Sequence, residues 1–240
     1  MAKPYLNCPA NWLRSTLEAN PLSGIIERVE TGATPATTRD DYWDGDVPWL
    51  TPKEIAHQSS GLFVSTTERK LTQAGLRDSA ARLMPVGTVM VSKRAPVGAV
   101  AVNTVPMATN QGFLNFVCGL KVRPLYLAYW FLANRPYLDL IANGSTYPEL
   151  YKGDLFEFEI AVPELAAQDQ AISFLSSLDF LTMVGMPLEQ TSLSPSRTQR
   201  IHSQSTELEK IRRVLLPAVL SGDVDLATLP VPHLSAMVAS

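Results

Sequence analysis

The sequence predicts an α+β fold: a mixed domain of strands and helices over residues 1–165, a C-terminal helical region over 166–226, and a tail over 227–240. Three observations carry that reading. Phe156, Phe158, Ile160 and Val162 recur at period two before Pro163, as on a strand with one buried face, and the proline closes it. Ile172, Leu175, Leu178 and Leu181 then follow at three-residue intervals among helix formers, as on a helix with one apolar stripe. Upstream, two short apolar runs flank the basic turn Lys93–Gly98, which reads as strand, turn, strand.

In order along the chain, Trp12, Leu13, Leu17, Leu22, Ile25, Ile26 and Val29 recur at mixed helical spacing around Asn20-Pro21, predicting one or two short helices. Gly32 and Pro35 punctuate a turn, Asp44-Gly45 reads as a tight turn, and Val47, Trp49 and Leu50 enter a short strand ending at Thr51-Pro52. Residues 57–79 are polar and turn-rich, with a strand over Leu62–Thr66. Strands are predicted over Gly87–Ser92 and Ala99–Val105, and a further apolar segment over 113–122. Residues 124–143 carry the strongest helical pattern of the domain, with Leu127, Trp130, Phe131, Leu138 and Ile141 on one side; Pro136 is expected to kink or divide it. Beyond the helix starting near Glu164, residues 185–197 are rich in breakers and predict an interruption. From Arg200 a heptad reading aligns Ile201, Leu208, Ile211 and Leu215, ending at Ser221-Gly222.

Composition narrows the function. The 240 residues, 46% apolar and 18% charged, are globular in character, and the net charge of −3 is unlike that of a strongly basic nucleic-acid-coating protein. Fifteen Lys and Arg face sixteen Asp and Glu up to residue 165, and five face seven beyond it, so DNA binding would need a local patch or a basic partner. Cys8 and Cys118 make neither a disulfide framework nor a metal spacing, and His57, His202 and His233 are isolated. The N-terminus lacks the apolar core of a signal peptide, and no run nears the ~18 apolar residues of a membrane span. A cytoplasmic protein without a cofactor is expected. No Gly-x-Ser-x-Gly elbow or phosphate-binding P-loop occurs, and Asn134-Arg135-Pro136-Tyr137 matches an amino-methyltransferase loop too poorly to argue for one.

Several ordered motifs resemble the specificity subunits of type I restriction-modification systems: Gly-Ala-Thr-Pro at 32–35, Tyr-Trp-Asp-Gly-Asp-Val-Pro-Trp-Leu-Thr-Pro-Lys-Glu-Ile at 42–55, Asn-Gln-Gly-Phe at 110–113, Gly-Ser-Thr at 144–146, Gln168-Asp169-Gln170 at a helix start, and Leu-Leu-Pro-Ala-Val-Leu-Ser-Gly-Asp at 215–223. The resemblance spans residues 12–225. It implies a DNA target recognition domain with a coiled-coil spacer, in a half-subunit form that would dimerise through its helices, Ile172, Leu175, Ile201, Leu208, Ile211 and Leu215 lining the stripe. It also implies a non-catalytic role: partner modification subunits would methylate adenine with S-adenosylmethionine, and a restriction-translocase subunit would cut, at a bipartite double-stranded DNA site. An interaction module that binds modification subunits without reading DNA is the alternative.

Reading DNA needs donors and acceptors at base edges and cations on phosphates. The expected contacts are Arg39, Lys53, Lys93, Arg94, Ser145, Thr146, Tyr147 and Lys152, foremost the Lys93–Arg94 turn and the 145–152 loop. Thr37, Thr38, Arg69 and Lys70 are further loop-borne donors, and each of these residues also fits an ordinary turn. Asn110 and Gln111 fit adenine reading or a bond to loop backbone. Trp43, Trp49 and Trp130 are read as core aromatics.

Overall fold

The computed structural model describes residues 19–56, 61–142, 148–156, 158–184 and 216–220. Its centre is a five-stranded sheet in the order β2-β9-β6-β7-β4, built from β2 (Ile26–Thr31), β4 (Phe63–Val64), β6 (Val89–Ser92), β7 (Val100–Asn103) and β9 (Phe113–Cys118). All pairs are antiparallel except β4 with β7. Every residue of β6 and β7 is buried, because both faces of the sheet are covered. Side chains alternate across a strand. Val89, Val91, Leu114 and Phe116 therefore join the core under helix α3 (Pro124–Ile141), whereas Met90, Ala101 and Phe113 pack with Leu50, Val64 and Met107 on the other side.

That second side lies toward a three-stranded sheet in the order β5-β3-β8: β3 (Trp43–Leu50), β5 (Lys70–Leu71) and β8 (Ala108–Thr109). Helices α1 (Pro52–Ala56) and α2 (Gln73–Arg77) flank it, α2 being capped by the Thr72 hydroxyl, which accepts from the Gly75 N–H at 3.0 Å. Trp43, Val47, Trp49, Leu71 and Ala108 form its own small core.

A third pair, β1 (Ala19–Pro21) and β10 (Glu159–Ala161), ties the start of the described chain to the end of the domain, with the Leu22 N–H on the Phe158 carbonyl at 2.8 Å. Helix α4 (Lys152–Phe156) precedes β10, and helix α5 (Leu165–Val184) follows it after Pro163. Gln168, fully buried, locks that junction. Its Oε1 accepts the Arg123 N–H at the head of α3, while its Nε2 donates to the Lys121 and Pro163 carbonyls, all at 2.8–2.9 Å. Ala171, Phe174 and Leu175 of α5 then enter the main core, where Leu216, Val219 and Leu220 of the helical segment 216–220 also lie. The buried Tyr126 hydroxyl stands 3.2 Å from both the Ala161 and Leu220 carbonyls.

Four local expectations are corrected. Residues 19–31 form strand, 3₁₀ turn and strand instead of helix, because pairing with β10 and β9 outweighs a weak helical pattern. Asp44-Gly45 does not reverse the chain: Leu71 is the register partner of both Trp43 and Val47, so the dipeptide makes a bulge within a longer β3. Asp44 has φ 61°, and a Cβ on Gly45 would lie 2.5 Å from the Leu71 carbonyl oxygen. Phe156 ends α4 instead of starting a strand, since the three-residue β1 offers a ladder only to Glu159–Ala161. Pro136 sits on the exposed side of α3 without dividing the 18-residue helix. Strands β3, β4, β6, β7 and β9 and the start of α5 fall close to their expected places, α2 and β5 occupy a stretch read as turns, and α1 and β8 have no counterpart among the expected elements.

Candidate nucleic-acid interface

The pairing register fixes which loops share an edge of the central sheet. Thr31 pairs with Leu114, Ser92 with Phe113 and Val91 with Val100, so the ends of β2 and β6 and the starts of β9 and β7 lie side by side. The loops 32–41, 93–99 and 110–112 leave from that one rim. Backbone bonds stitch them together: Ala33 N–H to the Thr109 carbonyl at 3.0 Å, Lys93 N–H to Gly112 at 2.8 Å, and Leu150 N–H to Lys93 at 2.9 Å. The approach is close enough to require glycine at 32, where a Cβ would lie 2.2 Å from the Thr109 carbonyl oxygen. Pro52 packs on Gly112, and the Glu54 carboxylate accepts the Thr51 N–H, the Thr51 hydroxyl and the Glu68 N–H at 2.8 Å each. The head of α1 at 51–54 and the loop at 67–69 thereby join the same band.

The cations on this band differ in what they have left to offer. Lys93 and Arg94 both bind Glu149, at 2.8 and 3.1 Å, and these bonds, that from Lys93 foremost, hold the Glu149 carboxyl below the usual carboxylate range. Lys93 is mostly covered, whereas Arg94 is half exposed and reaches Glu149 through its Nε. Arg39 is exposed but committed: its Nε and Nη2 donate to both Asp41 oxygens at 2.8 and 2.7 Å, and its guanidinium lies 4.4 Å from the centre of the Tyr42 ring. The hydrogen bond to Asp41 raises the Arg39 pKa and lowers that of Asp41. Lys53 is exposed on α1 and makes no ion pair among the described residues. Lys152 donates to the Val29 carbonyl at 3.3 Å with its ammonium over the Phe156 ring, at the edge strand β2. Ser145, Thr146 and Tyr147 lie outside the described residues.

The structure thus gathers the 93–94 turn, the 32–39 loop, Lys53 and the 149–152 segment. Exposed Thr34, Thr37, Thr38 and Gln111 complete a polar surface, with the Thr34 hydroxyl bonded to Gln111 Oε1. Asn110 takes the structural one of its two readings, its Oδ1 accepting the Gly112 N–H at 2.8 Å. Trp43, Trp49 and Trp130 are buried. Asn134 is buried too and donates to the Trp130 carbonyl within α3, far from the geometry of a substrate loop. Sequence reasoning missed Glu149, the counter-ion of the basic turn, although its place within the 145–152 loop was the available signal.

On the helical side, Leu175 is 1% exposed and Ile172 packs against the same core, so both serve this chain's own domain. Ile201, Leu208, Ile211 and Leu215 lie outside the described residues. Among the described residues no group of His, Cys, Asp and Glu is placed to hold a metal ion, and no helix is long and apolar enough to cross a membrane.

A doubly covered sheet whose loops converge on one donor-bearing rim is the layout of a binding domain. Residues 15–183 match the family model described as the type I restriction modification DNA specificity domain, and the chain belongs to that family. It is 39% identical over 158 residues to the MjaIX type I restriction enzyme specificity subunit of Methanocaldococcus jannaschii, covering 65% of this chain and 36% of that subunit. It is 25% identical over 177 residues to the EcoR124I/EcoR124II specificity subunit of Escherichia coli, covering 69% of this chain and 43% of that one. The HsdS subunit of Thermoanaerobacter tengcongensis shares the fold, with TM-score 0.55 and 16% identity over 86% of this chain and 45% of that structure. The chain therefore spans less than half the length of these relatives.

Proposed function

We propose that this chain is a sequence-reading subunit of a type I restriction-modification complex, with the loop rim as its DNA-facing surface. The observation that carries the reading is the convergence of loops 32–39, 67–69, 93–94 and 110–112 and the head of α1 at one rim of the central sheet, in a chain of the DNA specificity family. Base reading needs donors fixed in direction, and loops mounted on a buried sheet supply them. The subunit itself would do no chemistry. Modification subunits would methylate adenine using S-adenosylmethionine, and a restriction-translocase subunit would act from the same complex.

The near-neutral charge fits that division, because partner subunits can supply the phosphate contacts that dominate affinity. One recognition domain reads one half-site. Two copies related by a two-fold axis, joined through their helical regions, would read a bipartite site with inverted halves. The test is methylome sequencing of a host expressing this chain with its neighbouring modification subunit, beside the same host without it. A new methylated-adenine motif of two equal inverted halves is the expected result. A stable complex that yields no motif would refute the reading and favour an interaction module.

A further inference from the structure

Arg69 is unlike every other cation of the rim. Its guanidinium carbon lies 3.5 Å from the centre of the Trp43 ring and 5.6 Å from that of Trp49, while the residue itself is exposed. The two indoles are buried and meet edge to face, 5.0 Å apart at 82°. Each is also pinned by its ring N–H, Trp43 to the Ala36 carbonyl at 3.2 Å and Trp49 to the Ala33 carbonyl at 3.0 Å, so the platform is part of the 33–36 loop. The backbone of Arg69 is fixed as well, its carbonyl accepting from the Trp49 N–H at 3.2 Å and the Thr67 hydroxyl at 2.6 Å. Yet among the described residues the guanidinium has no carboxylate partner.

A stacked guanidinium has one face covered and its in-plane N–H donors unspent. We propose that Arg69 is a base-reading residue that presents this donor pair to the O6 and N7 acceptors of a guanine in the major groove, an inference that rests on the DNA-reading function proposed above. A phosphate needs only a nearby cation, such as the exposed Lys53, which makes no ion pair among the described residues. Guanine needs two donors held in one plane at a set angle, and the Trp43 platform holds them so.

The experiment uses the assembled complex with the modification subunit. Its motif is first read by methylome sequencing; duplexes bearing that motif, and duplexes with 7-deazaguanine at single positions, are then compared for binding by wild type and R69K. Lysine keeps the charge and loses the fork. At one guanine of the half-site, wild type should lose roughly 10- to 100-fold on replacement of N7, and R69K, without the planar fork, should lose clearly less. A motif without guanine overturns the inference, as does equal sensitivity to 7-deazaguanine in both proteins, or an R69K complex with unchanged binding to every duplex. Absence of any wild-type motif overturns the DNA-reading function itself, a separate outcome. Thermal melts of R69K beside wild type exclude an effect through folding.

Discussion

Gln168→Ala should be among the most damaging single substitutions in the chain, although the residue is polar and touches no candidate DNA contact. The side chain is fully buried and makes three hydrogen bonds, all to backbone. Alanine would leave the Arg123 N–H and the Lys121 and Pro163 carbonyls without these bonds, at a part-buried junction. An unsatisfied buried group costs about 1–3 kcal/mol, and two of these are carbonyls that retain a second lone pair, so the total comes to about 3–4 kcal/mol. For a protein of this size that is a fall in melting temperature of roughly 6–16 °C. The assay is urea and thermal unfolding of the full chain, with Asp169→Ala as control. Asp169 makes a similar-looking pair of bonds to the Arg123 guanidinium at 2.9 and 3.0 Å, but both partners are about half exposed, and its loss should cost under about 1 kcal/mol. A Gln168→Ala shift no larger than that of Asp169→Ala would refute the argument that buried backbone satisfaction holds α5 to the head of α3.

Three further outcomes are expected. Gly32→Ala would drive a Cβ to 2.2 Å from the Thr109 carbonyl oxygen and should destabilise by at least about 2 kcal/mol in urea unfolding, since the obstruction is backbone on both sides. Glu149→Gln should flatten the acid limb of the stability curve. The folded Glu149 pKa is lowered, so its contribution is present above the unfolded value of 4.5 and is lost as pH falls through the folded one; melting temperatures at stepped pH values check it. In salt-dependent DNA binding by the complex, Lys53→Ala should reduce the salt slope by about 1, whereas Arg39→Ala should change it much less because Asp41 already neutralises that guanidinium.

The places where sequence and structure diverge share a cause. The strands at 89–92 and 100–103 were legible because their apolar runs are covered on both faces, and α3 because Leu127, Trp130, Phe131, Leu138 and Ile141 recur at helical spacing after Pro124. Residues 19–31 were misread because their strand character comes from partners far along the chain, Ile160 for Asn20 and Phe116 for Val29. Asp44-Gly45 was misread because the same dipeptide suits a reversing turn and a bulge, and only the register against Leu71 distinguishes them. For the site, Lys93 and Arg94 were visible as a basic turn, but not that Glu149, 55 residues beyond Arg94, would claim both. Arg69 looked like one charge in a polar stretch, and its indole platform arises from strand β3, across the sheet from β5.

The sequence by itself determined the family, the α+β class, the order of most elements and which loops carry donors, because periodicity, breakers and motif order are local properties of the chain. Tertiary structure alone decided which of those donors remain available. Whether a cation meets DNA or a carboxylate depends on what lies within about 4 Å of it, and the answers differ. Arg39 meets its chain neighbour Asp41, Lys93 the distant Glu149, Arg69 the Trp43 indole of strand β3, and Lys53 no carboxylate among the described residues.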